Sequence, residues 1–188
     1  AYEDTALPIG FGQTISQPFI VALMAQALLP SKRDRVLEVG AGSGYAAAVL
    51  SLLAGEVYAV ERVPALAESA RRRLRELGYS NVHVIAGDGT AGLPAYAPFD
   101  GIVVSAAAPW VPRPLRQQLG EGGRLVIPVG GRDAQYLLRL TRADHQIQTE
   151  RLGEVRFVPL LGDHAWEPAR GEPRAVVTHR EPQLSVVA

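Results

Sequence analysis

The sequence predicts an α/β fold with a doubly wound, mainly parallel sheet and antiparallel strands at its C-terminal end. Short apolar runs alternate with helical patterns between residues 34 and 130, which indicates parallel strands connected by right-handed helical crossovers. From about residue 133 the helical patterns stop, and apolar and polar residues alternate as they do in antiparallel strands. We expect one domain over residues 1–188, because no repeat and no linker interrupts the pattern.

The composition narrows the classes of protein to which the chain can belong. Its 188 residues are 47% apolar and 20% charged, as in a globular domain, and no apolar run approaches the ~18 residues of a membrane span. The formal net charge is zero, which argues against nucleic acid or an anionic membrane as the main partner. The chain has no cysteine, which excludes disulfides and fits a reducing compartment, so we expect a cytoplasmic protein. No acidic cluster suggests a metal.

The first predicted unit, residues 1–30, is a loop followed by a helix. The stretch "LPIGFGQTISQP" at 7–18 carries no charge, and its apolar residues are interrupted by glycines and short hydrogen-bonding side chains. It therefore resembles neither a core strand nor a core helix. The residues "FIVALMAQALL" at 19–29 are helix formers, and Pro18 suits the first turn of a helix there.

The predicted α/β core covers residues 34–130. Each strand is a short apolar run, and Gly55 and Gly78 end the first two helices that connect the strands. In the second helix Leu66, Ala70, Leu74 and Leu77 form one stripe, which predicts that the arginines of "RRRLRE" face solvent rather than RNA. Strands are predicted at 35–40, 56–61, 81–87, 99–107 and 123–130, and helices at 43–54, 64–77 and 112–119.

The predicted C-terminal unit, residues 133–161, consists of antiparallel strands. The alternating runs lie at 134–142, 145–153 and 154–162, and no helix fits between them. The tail at 162–188 is rich in proline and charge, and we predict no element there.

A glycine-rich loop is the strongest motif. In "VLEVGAGSGY", Gly40, Gly42 and Gly44 join a strand to a helix; the first glycine permits a tight turn and the second lets a ligand approach the backbone. A dinucleotide fingerprint would need glycine at position 45, where Tyr45 stands. Glu38 lies in the preceding strand end, and a carboxylate there repels a pyrophosphate but attracts an ammonium group. The loop therefore favours a ligand with an amino-acid end.

Two further acidic residues follow the next two strands. Glu61 ends "YAVE", the position at which α/β nucleotide folds hold a ribose, and Asp88 of "AGDGT" leaves the third strand in a loop that can reach an adenine edge. Together with Glu38 near an amino group, these positions imply S-adenosylmethionine as the ligand.

The sequence favours a carboxylate as the methyl acceptor. Amine and hydroxyl acceptors usually need a general base, but the histidines are not arranged for that role. A carboxylate is already ionised at neutral pH, since its unperturbed pKa is about 4, and needs only positioning and removal of water. The uncharged, hydroxyl-bearing opening stretch suits this task. A small-molecule or RNA methyltransferase and a non-catalytic S-adenosylmethionine sensor also fit the cofactor motifs. The histidines are His83, His145, His164 and His179.

The motifs "LPIGFGQTISQP", "VLEVGAGSGY", "GDG", "APFDGIVVSAAAP", "LGEGGRLVIPVG" and "VRFVPL" closely resemble the protein-L-isoaspartate O-methyltransferase family, in order from about residue 2 to residue 161. The resemblance implies a class I, Rossmann-like methyltransferase that methylates isoaspartyl carboxyls in damaged proteins and peptides and leaves S-adenosylhomocysteine. The ester then collapses spontaneously to a succinimide, so that repeated cycles restore aspartate. Family members usually carry a further N-terminal segment before "YEDTALPIG", and the chain begins at Ala1 rather than Met, so we expect that the natural N-terminus can extend further.

The resemblance also assigns site residues. It places the active-site serine at Ser16, on the substrate side, and no base partner is visible that would make this serine a nucleophile. The backbone around Val158 would hold an extended peptide, with no nucleic acid, membrane or metal as partner. Cofactor contacts are assigned to Gln13, Thr14, Ile15, Glu38, Gly40, Gly42, Gly44, Glu61, Arg62, Asp88 and Gly89, and substrate contacts to Ser16, Gln17, Ala107, Val158 and Pro159.

Overall fold

A computed structural model describes residues 3–131 and 133–167; the tail from 168 onwards, with His179, lies outside the described residues. The elements are β1 Leu7–Gly10, β2 Gln13–Ile15, α1 Pro18–Leu28, β3 Arg35–Val39, α2 Tyr45–Ser51, β4 Glu56–Glu61, α3 Pro64–Glu76, β5 Val82–Ala86, β6 Phe99–Val104, α4 Arg113–Gln118, β7 Leu119–Gly130, β8 Gln135–Ala143 and β9 Gln146–Val155, with single 3-10 turns at Gly89–Ala91 and Pro94–Tyr96. From β3 to β7 the strands alternate with α-helices, except that two 3-10 turns connect β5 to β6.

A seven-stranded sheet forms the centre of the protein, in the order β5-β4-β3-β6-β7-β8-β9. The pairs β3–β4, β4–β5, β3–β6 and β6–β7 are parallel, and β7–β8 and β8–β9 are antiparallel. The predicted fold class, a mainly parallel sheet with antiparallel C-terminal strands, is confirmed.

Both faces of the sheet are covered, because its central strands are apolar on both sides. On one face, Val36 of β3 packs in a cluster with Leu28 of α1 and Leu74 of α3. On the other face, Leu37 of β3 packs in a second cluster with Leu115 of α4. Among the described residues, no helix combines the length and the apolarity that crossing a membrane requires.

The strand order places a binding crevice beside β3. From β3 the chain adds β4 and β5 on one side, then crosses back to add β6 and β7 on the other side. In open α/β sheets ligands bind at such a reversal, outside the carboxyl ends of the strands. The loops that follow β3, β4 and β6 meet at this edge.

The opening stretch differs from the predicted loop. β1 and β2 pair as an antiparallel hairpin, with Leu7 opposite Ile15. The turn is made by Gly10, Phe11 and Gly12, whose φ angles are 89°, 53° and 69°. These left-handed conformations are easy for glycine, so the glycines that obscured a strand pattern are the residues that close the hairpin.

Other predicted boundaries were also wrong. β6 ends at Val104 instead of 107, and β7 begins at Leu119 instead of 123. The helix predicted at 43–54 is shorter, because Gly44 precedes it with a φ of 85° and the chain turns after Ser51. The strand predicted at 154–162 does not form, because β9 continues only to Val155. Residues 156–161, which we call the strap, cross the end of the sheet with isolated bridges instead.

The stripe on α3 is also one residue shorter than predicted. Leu66, Ala70 and Leu74 are buried, whereas Leu77 is 66% exposed. Leu77 lies at the C-cap, where the chain leaves the helix before Gly78.

We predict that Leu125→Ala lowers the free energy of unfolding by about 2–5 kcal/mol, because a fully buried leucine leaves a cavity in a close-packed core. Leu125 is 0% exposed. The matched control is Leu77→Ala, which should change stability by less than about 0.5 kcal/mol. Urea denaturation followed by circular dichroism measures both variants. Equal losses from the two substitutions would contradict the assigned core.

Candidate active site

Three adjoining clefts lie at the carboxyl edge of the sheet, and Thr14 and Ser105 line all of them. The Glu38 cleft lies against the glycine loop, and the Glu61 cleft extends beneath the strap. The Arg156 cleft lies between the end of the hairpin and the strap. Because they share walls, the clefts can hold two molecules side by side.

The glycine loop after β3 is held by the protein rather than open to a phosphate. The N–H groups of Gly40 and Ala41 donate to the Val60 carbonyl, at 2.8 and 3.1 Å. The Gly42 N–H donates to Glu61 Oε2 at 2.8 Å. A phosphate-binding loop presents such N–H groups to the ligand. These are already used, which agrees with the prediction that the ligand carries no pyrophosphate.

Glu38 is the buried acid of the site. Its side chain is 0% exposed, and neither carboxyl oxygen has a hydrogen-bond partner within the part of the chain that the structure describes. Burial, and secondly the Glu61 carboxylate, raise the pKa of Glu38 to about 8. The nearby Ser105 side chain lowers this pKa, although it forms no hydrogen bond of normal geometry with Glu38. A buried carboxyl without a partner is costly, and a cation in the adjoining cleft would satisfy it. These residues therefore fit an ammonium group.

Glu61 ends β4 and is 7% exposed. Its two oxygens accept hydrogen bonds from the N–H groups of Gly42 and Val63, both at 2.8 Å. The carboxylate thus connects the end of β4 to the glycine loop while it lines the Glu61 cleft, where its remaining lone pairs can accept hydroxyl hydrogens.

Asp88 connects the end of β5 to a distant segment. Its Oδ1 accepts from the Thr90 N–H and hydroxyl at 2.8 and 2.7 Å, and its Oδ2 accepts from the Asp163 N–H at 2.9 Å. The Thr90 hydroxyl in turn accepts from the His164 N–H at 3.1 Å. Asp88 therefore anchors the chain immediately after the strap.

The end of the hairpin supplies the hydroxyl groups of Thr14 and Ser16 to the clefts. Neither Thr14 nor Ser16 forms a side-chain hydrogen bond with any residue that the structure describes. Ser16 is half-buried and lines both the Glu38 cleft and the Arg156 cleft. The hairpin lies against the glycine loop, because a Cβ built on Gly42 would be 3.2 Å from Ile9 Cδ1. The hydroxyls are thus available to ligands from either cleft.

Two glutamines beside these hydroxyls hold the backbone. Gln17 donates from Nε2 to the Asp4 carbonyl at 2.9 Å, and Gln13 donates to the Phe11 carbonyl at 3.2 Å. Gln17 lines the Arg156 cleft and Gln13 the Glu61 cleft.

The strap is fixed on both sides. The amide of Gln135 bonds both backbone groups of Phe157, donating at 3.1 Å to the carbonyl and accepting at 2.7 Å from the N–H. Ala107 donates its N–H to the Val158 carbonyl at 2.8 Å and accepts from the Leu160 N–H at 2.7 Å. These bonds leave the N–H of Val158 without a backbone partner among the described residues.

Most of the predicted site residues line the three clefts. The clefts do not include Gly44, Asp88 or Ala107. Gly44 lies against α3, since a Cβ there would be 3.0 Å from Leu74 Cδ1, and Ala107 holds the strap through its backbone. Their assignment as ligand contacts stays a prediction. The predicted residues that line a cleft are Gln13, Thr14, Ile15, Ser16, Gln17, Glu38, Gly40, Gly42, Glu61, Arg62, Gly89, Val158 and Pro159.

The sequence analysis gave no role to Arg156 or Gln135, and it included Ser105 only within the motif "APFDGIVVSAAAP". Ser105 follows β6 directly. Ligands bind at the carboxyl ends of parallel strands, and the reasoning that pointed to Glu38 and Glu61 on this ground could also have found Ser105. No local pattern in the sequence marks Gln135, because it bonds Phe157, which lies 22 residues further along the chain. None marks Arg156 either, because it lies near Ser16 only in the folded protein.

Among the described residues, the clefts offer neither a cluster of metal ligands nor a histidine. Within residues 3–131 and 133–167 no group of three or more metal-ligating side chains comes together. The described histidines line none of the three clefts, and His83 instead pairs with Glu56 at 2.5 Å on the surface. The polar side chains that line the clefts carry hydroxyl, carboxyl, amide and guanidinium groups.

Comparisons with known proteins agree with this geometry. A family model described as protein-L-isoaspartate(D-aspartate) O-methyltransferase matches residues 1–165. The protein-L-isoaspartate O-methyltransferase of Roseiflexus castenholzii is 66% identical over 166 residues, which cover 88% of this chain and 76% of the relative.

Solved structures agree as well. A protein-L-isoaspartate O-methyltransferase structure superposes with a TM-score of 0.80 and 32% identity, covering 87% of this chain and 55% of that one. A putative protein-L-isoaspartate O-methyltransferase from Plasmodium falciparum, in complex with S-adenosyl-L-homocysteine, has a TM-score of 0.73 and 30% identity, covering 85% of this chain and 81% of that one.

The match extends over most of the chain, and the buried Glu38 suits the amino group of the cofactor. The chain therefore belongs to the protein-L-isoaspartate(D-aspartate) O-methyltransferase family: it is an S-adenosylmethionine-dependent enzyme that methylates isoaspartyl residues and so initiates their repair.

Proposed function

We propose that Ser16 positions the isoaspartyl carboxylate for methyl transfer at the junction of the Glu38 and Arg156 clefts. The observation that supports this role is that Ser16 lines both clefts and that its hydroxyl has no partner among the described residues. A hydroxyl donates one hydrogen bond and can therefore orient a carboxylate oxygen toward the neighbouring cleft. Thr14 and Ser105 line the same junction.

We further propose that the cofactor lies across the Glu38 and Glu61 clefts. Glu38 would hold its ammonium group and Glu61 its ribose hydroxyls, with Gly40 and Gly42 allowing close approach. Bound S-adenosylmethionine supplies an electrophilic methyl group on a sulfonium. The cofactor contacts of Gln13, Ile15, Arg62 and Gly89 are supported by their place in these linings.

This chemistry requires no general base. The acceptor carboxylate is ionised at neutral pH, because its unperturbed pKa lies near 4. The protein contributes orientation and the removal of water, and orientation alone can supply ~7–11 kcal/mol of a barrier. The uncharged hairpin that covers the glycine loop suits water exclusion, since it presents no competing charge to the carboxylate.

The peptide substrate would bind in an extended form along the strap. The backbone groups of Arg156 and the N–H of Val158 have no backbone partner among the described residues. Pro159 and Gln17 lie beside them in the cleft linings. The proposal includes damaged proteins and peptides as partners, without nucleic acid or membrane, and a cytoplasmic location; the zero net charge and the absence of cysteine support these points.

The test of the proposed function uses S-adenosylmethionine with a labelled methyl group and two peptides of identical composition. We expect base-labile methyl ester on the isoaspartyl peptide and none on the aspartyl peptide, because only one acceptor geometry fits. Cofactor binding without methylation of either peptide would favour a sensor. Methylation of a small molecule or of RNA, with neither peptide methylated, would favour a methyltransferase that acts on that acceptor.

We predict that Ser16→Ala lowers kcat by roughly 10- to 100-fold, the effect of losing one hydrogen bond to a charged group, and changes the cofactor Kd by less than about twofold. Steady-state kinetics and cofactor titration separate the two quantities. Ser80→Ala, at an exposed serine on the surface, is the matched control and should leave both unchanged. A loss of cofactor affinity as large as the loss of kcat would refute the positioning role.

We predict that cofactor binding releases a proton from Glu38 below about pH 8. In the free protein the carboxyl is protonated there, because burial raises its pKa to about 8, and an ammonium group beside it favours ionisation. Affinity should therefore rise with pH between about pH 5 and 8, and it should stop rising and then fall where the ammonium group of the ligand loses its proton. Calorimetry at pH 6.5 in buffers of different ionisation enthalpy measures the released proton.

Glu38→Gln should abolish this proton release. Glu76→Gln, at an exposed residue of α3, is the control and should retain it. Release of the same proton by Glu38→Gln would show that another group titrates.

A further inference from the structure

We propose that Arg156 is a specificity-determining residue that pairs with a carboxylate next to the isoaspartyl residue of the substrate. This inference rests on the proposed function, because it concerns the peptide whose carboxyl is methylated. It identifies the substrate class as isoaspartyl segments with an acidic neighbour.

Arg156 is the charged residue of an otherwise uncharged cleft. It lines the same cleft as Ser16 and Gln17, and every other residue in that lining is apolar or a neutral polar residue. A single charge in an uncharged wall acts on a bound peptide without competition from neighbouring charges. The sign of that charge selects for carboxylates and against lysine or arginine.

The guanidinium of Arg156 is available to a ligand. It is exposed and forms no hydrogen bond or ion pair with any described residue. Nearby arginines of the same sheet differ: Arg139 pairs with Glu150 at 2.5 Å, and Arg151 lies 3.1 Å from the centre of the Tyr136 ring. These arginines have structural partners, whereas Arg156 has none among the residues that the structure describes.

The backbone that carries Arg156 is held in place. It follows Val155, the last residue of β9, and precedes Phe157, whose N–H and carbonyl are both bonded by the buried amide of Gln135. Val158 is then fixed through its carbonyl to Ala107. A charge on an anchored backbone discriminates better than one on a mobile loop, because less freedom is lost when the pair forms.

The charge fits a flanking carboxylate better than the carboxylate that reacts. A guanidinium bonded directly to the acceptor would stabilise its negative charge in the ground state and reduce its nucleophilicity in the transfer. Ser16, a neutral donor, already lies at the junction with the cofactor side. Arg156 does not line the Glu38 cleft, so it lies on the peptide side of that junction.

The experiment compares isoaspartyl peptides that differ at one residue. Glu, Gln or Lys is placed directly before or directly after the isoaspartyl residue, and kcat/KM is measured at low salt for the full chain. For one of these two positions we expect kcat/KM to be about twofold to fivefold higher with Glu than with Gln, which is the size of effect that an exposed ion pair gives. With Lys at that position, kcat/KM should be lower than with Gln. The difference should appear in KM rather than kcat and should shrink in high salt.

Three variants test the assignment to Arg156. Arg156→Gln should remove the preference, Arg156→Glu should reverse it, and Arg156→Lys should retain it. Arg72→Gln removes the same charge from an exposed position on α3 outside the clefts, and it should keep the wild-type preference. Cofactor affinity and thermal unfolding should be unchanged in all of them, since Arg156 has no partner in the described protein.

The outcomes separate this inference from the proposed function. Equal kcat/KM for the Glu and Lys peptides in the wild type would overturn the inference, and so would an unchanged preference in Arg156→Gln. In either case, methylation of the Gln peptide would still support the proposed function. If Arg156→Gln lowered kcat/KM equally for all peptides, the inference would also be overturned, because the arginine would then act on the isoaspartyl carboxylate itself. Failure to methylate any isoaspartyl peptide would overturn both.

Discussion

The burial of Glu38 at the end of β3, where neither oxygen has a hydrogen-bond partner among residues 3–131 and 133–167, constrains the rest of the site. A carboxyl in this position is costly when ionised, and its pKa is accordingly raised to about 8. This cost falls when a cation enters the adjoining cleft. Binding of the cation and ionisation of Glu38 therefore favour each other. The hairpin that lies against the glycine loop is uncharged, so it adds no charge to those of Glu38 and Glu61.

Glu61 has a different task although it is also a buried carboxylate. Its oxygens accept from the N–H groups of Gly42 and Val63, so it determines the shape of the glycine loop as well as lining a cleft. Because the loop's N–H groups are used within the protein, the loop does not present the donors that a phosphate would need. In the proposed function, the pair of carboxylates would suit a cofactor that is cationic at one end and rich in hydroxyls in the middle.

The substrate side is assembled from segments far apart in the sequence. Gln135 holds the strap from β8, Ala107 holds it from the end of β6, and Asp88 holds the residues that follow it. These bonds present Arg156 at a cleft that also contains Ser16. In the proposed function, the parallel core would bind the cofactor, and the antiparallel strands would bring the peptide to it.

The sequence by itself determined the alternation of strands and helices, because periodic burial is a local property that apolar spacing records directly. It also located Glu38 and Glu61, since strand ends in a parallel sheet converge at one edge. Only the tertiary structure decided the β1–β2 hairpin, whose turn depends on left-handed residues, and the end of β9 at Val155. The bonds of Gln135 to Phe157 and the place of Arg156 beside Ser16 required it too. Chain packing rather than local spacing decides which distant segments meet.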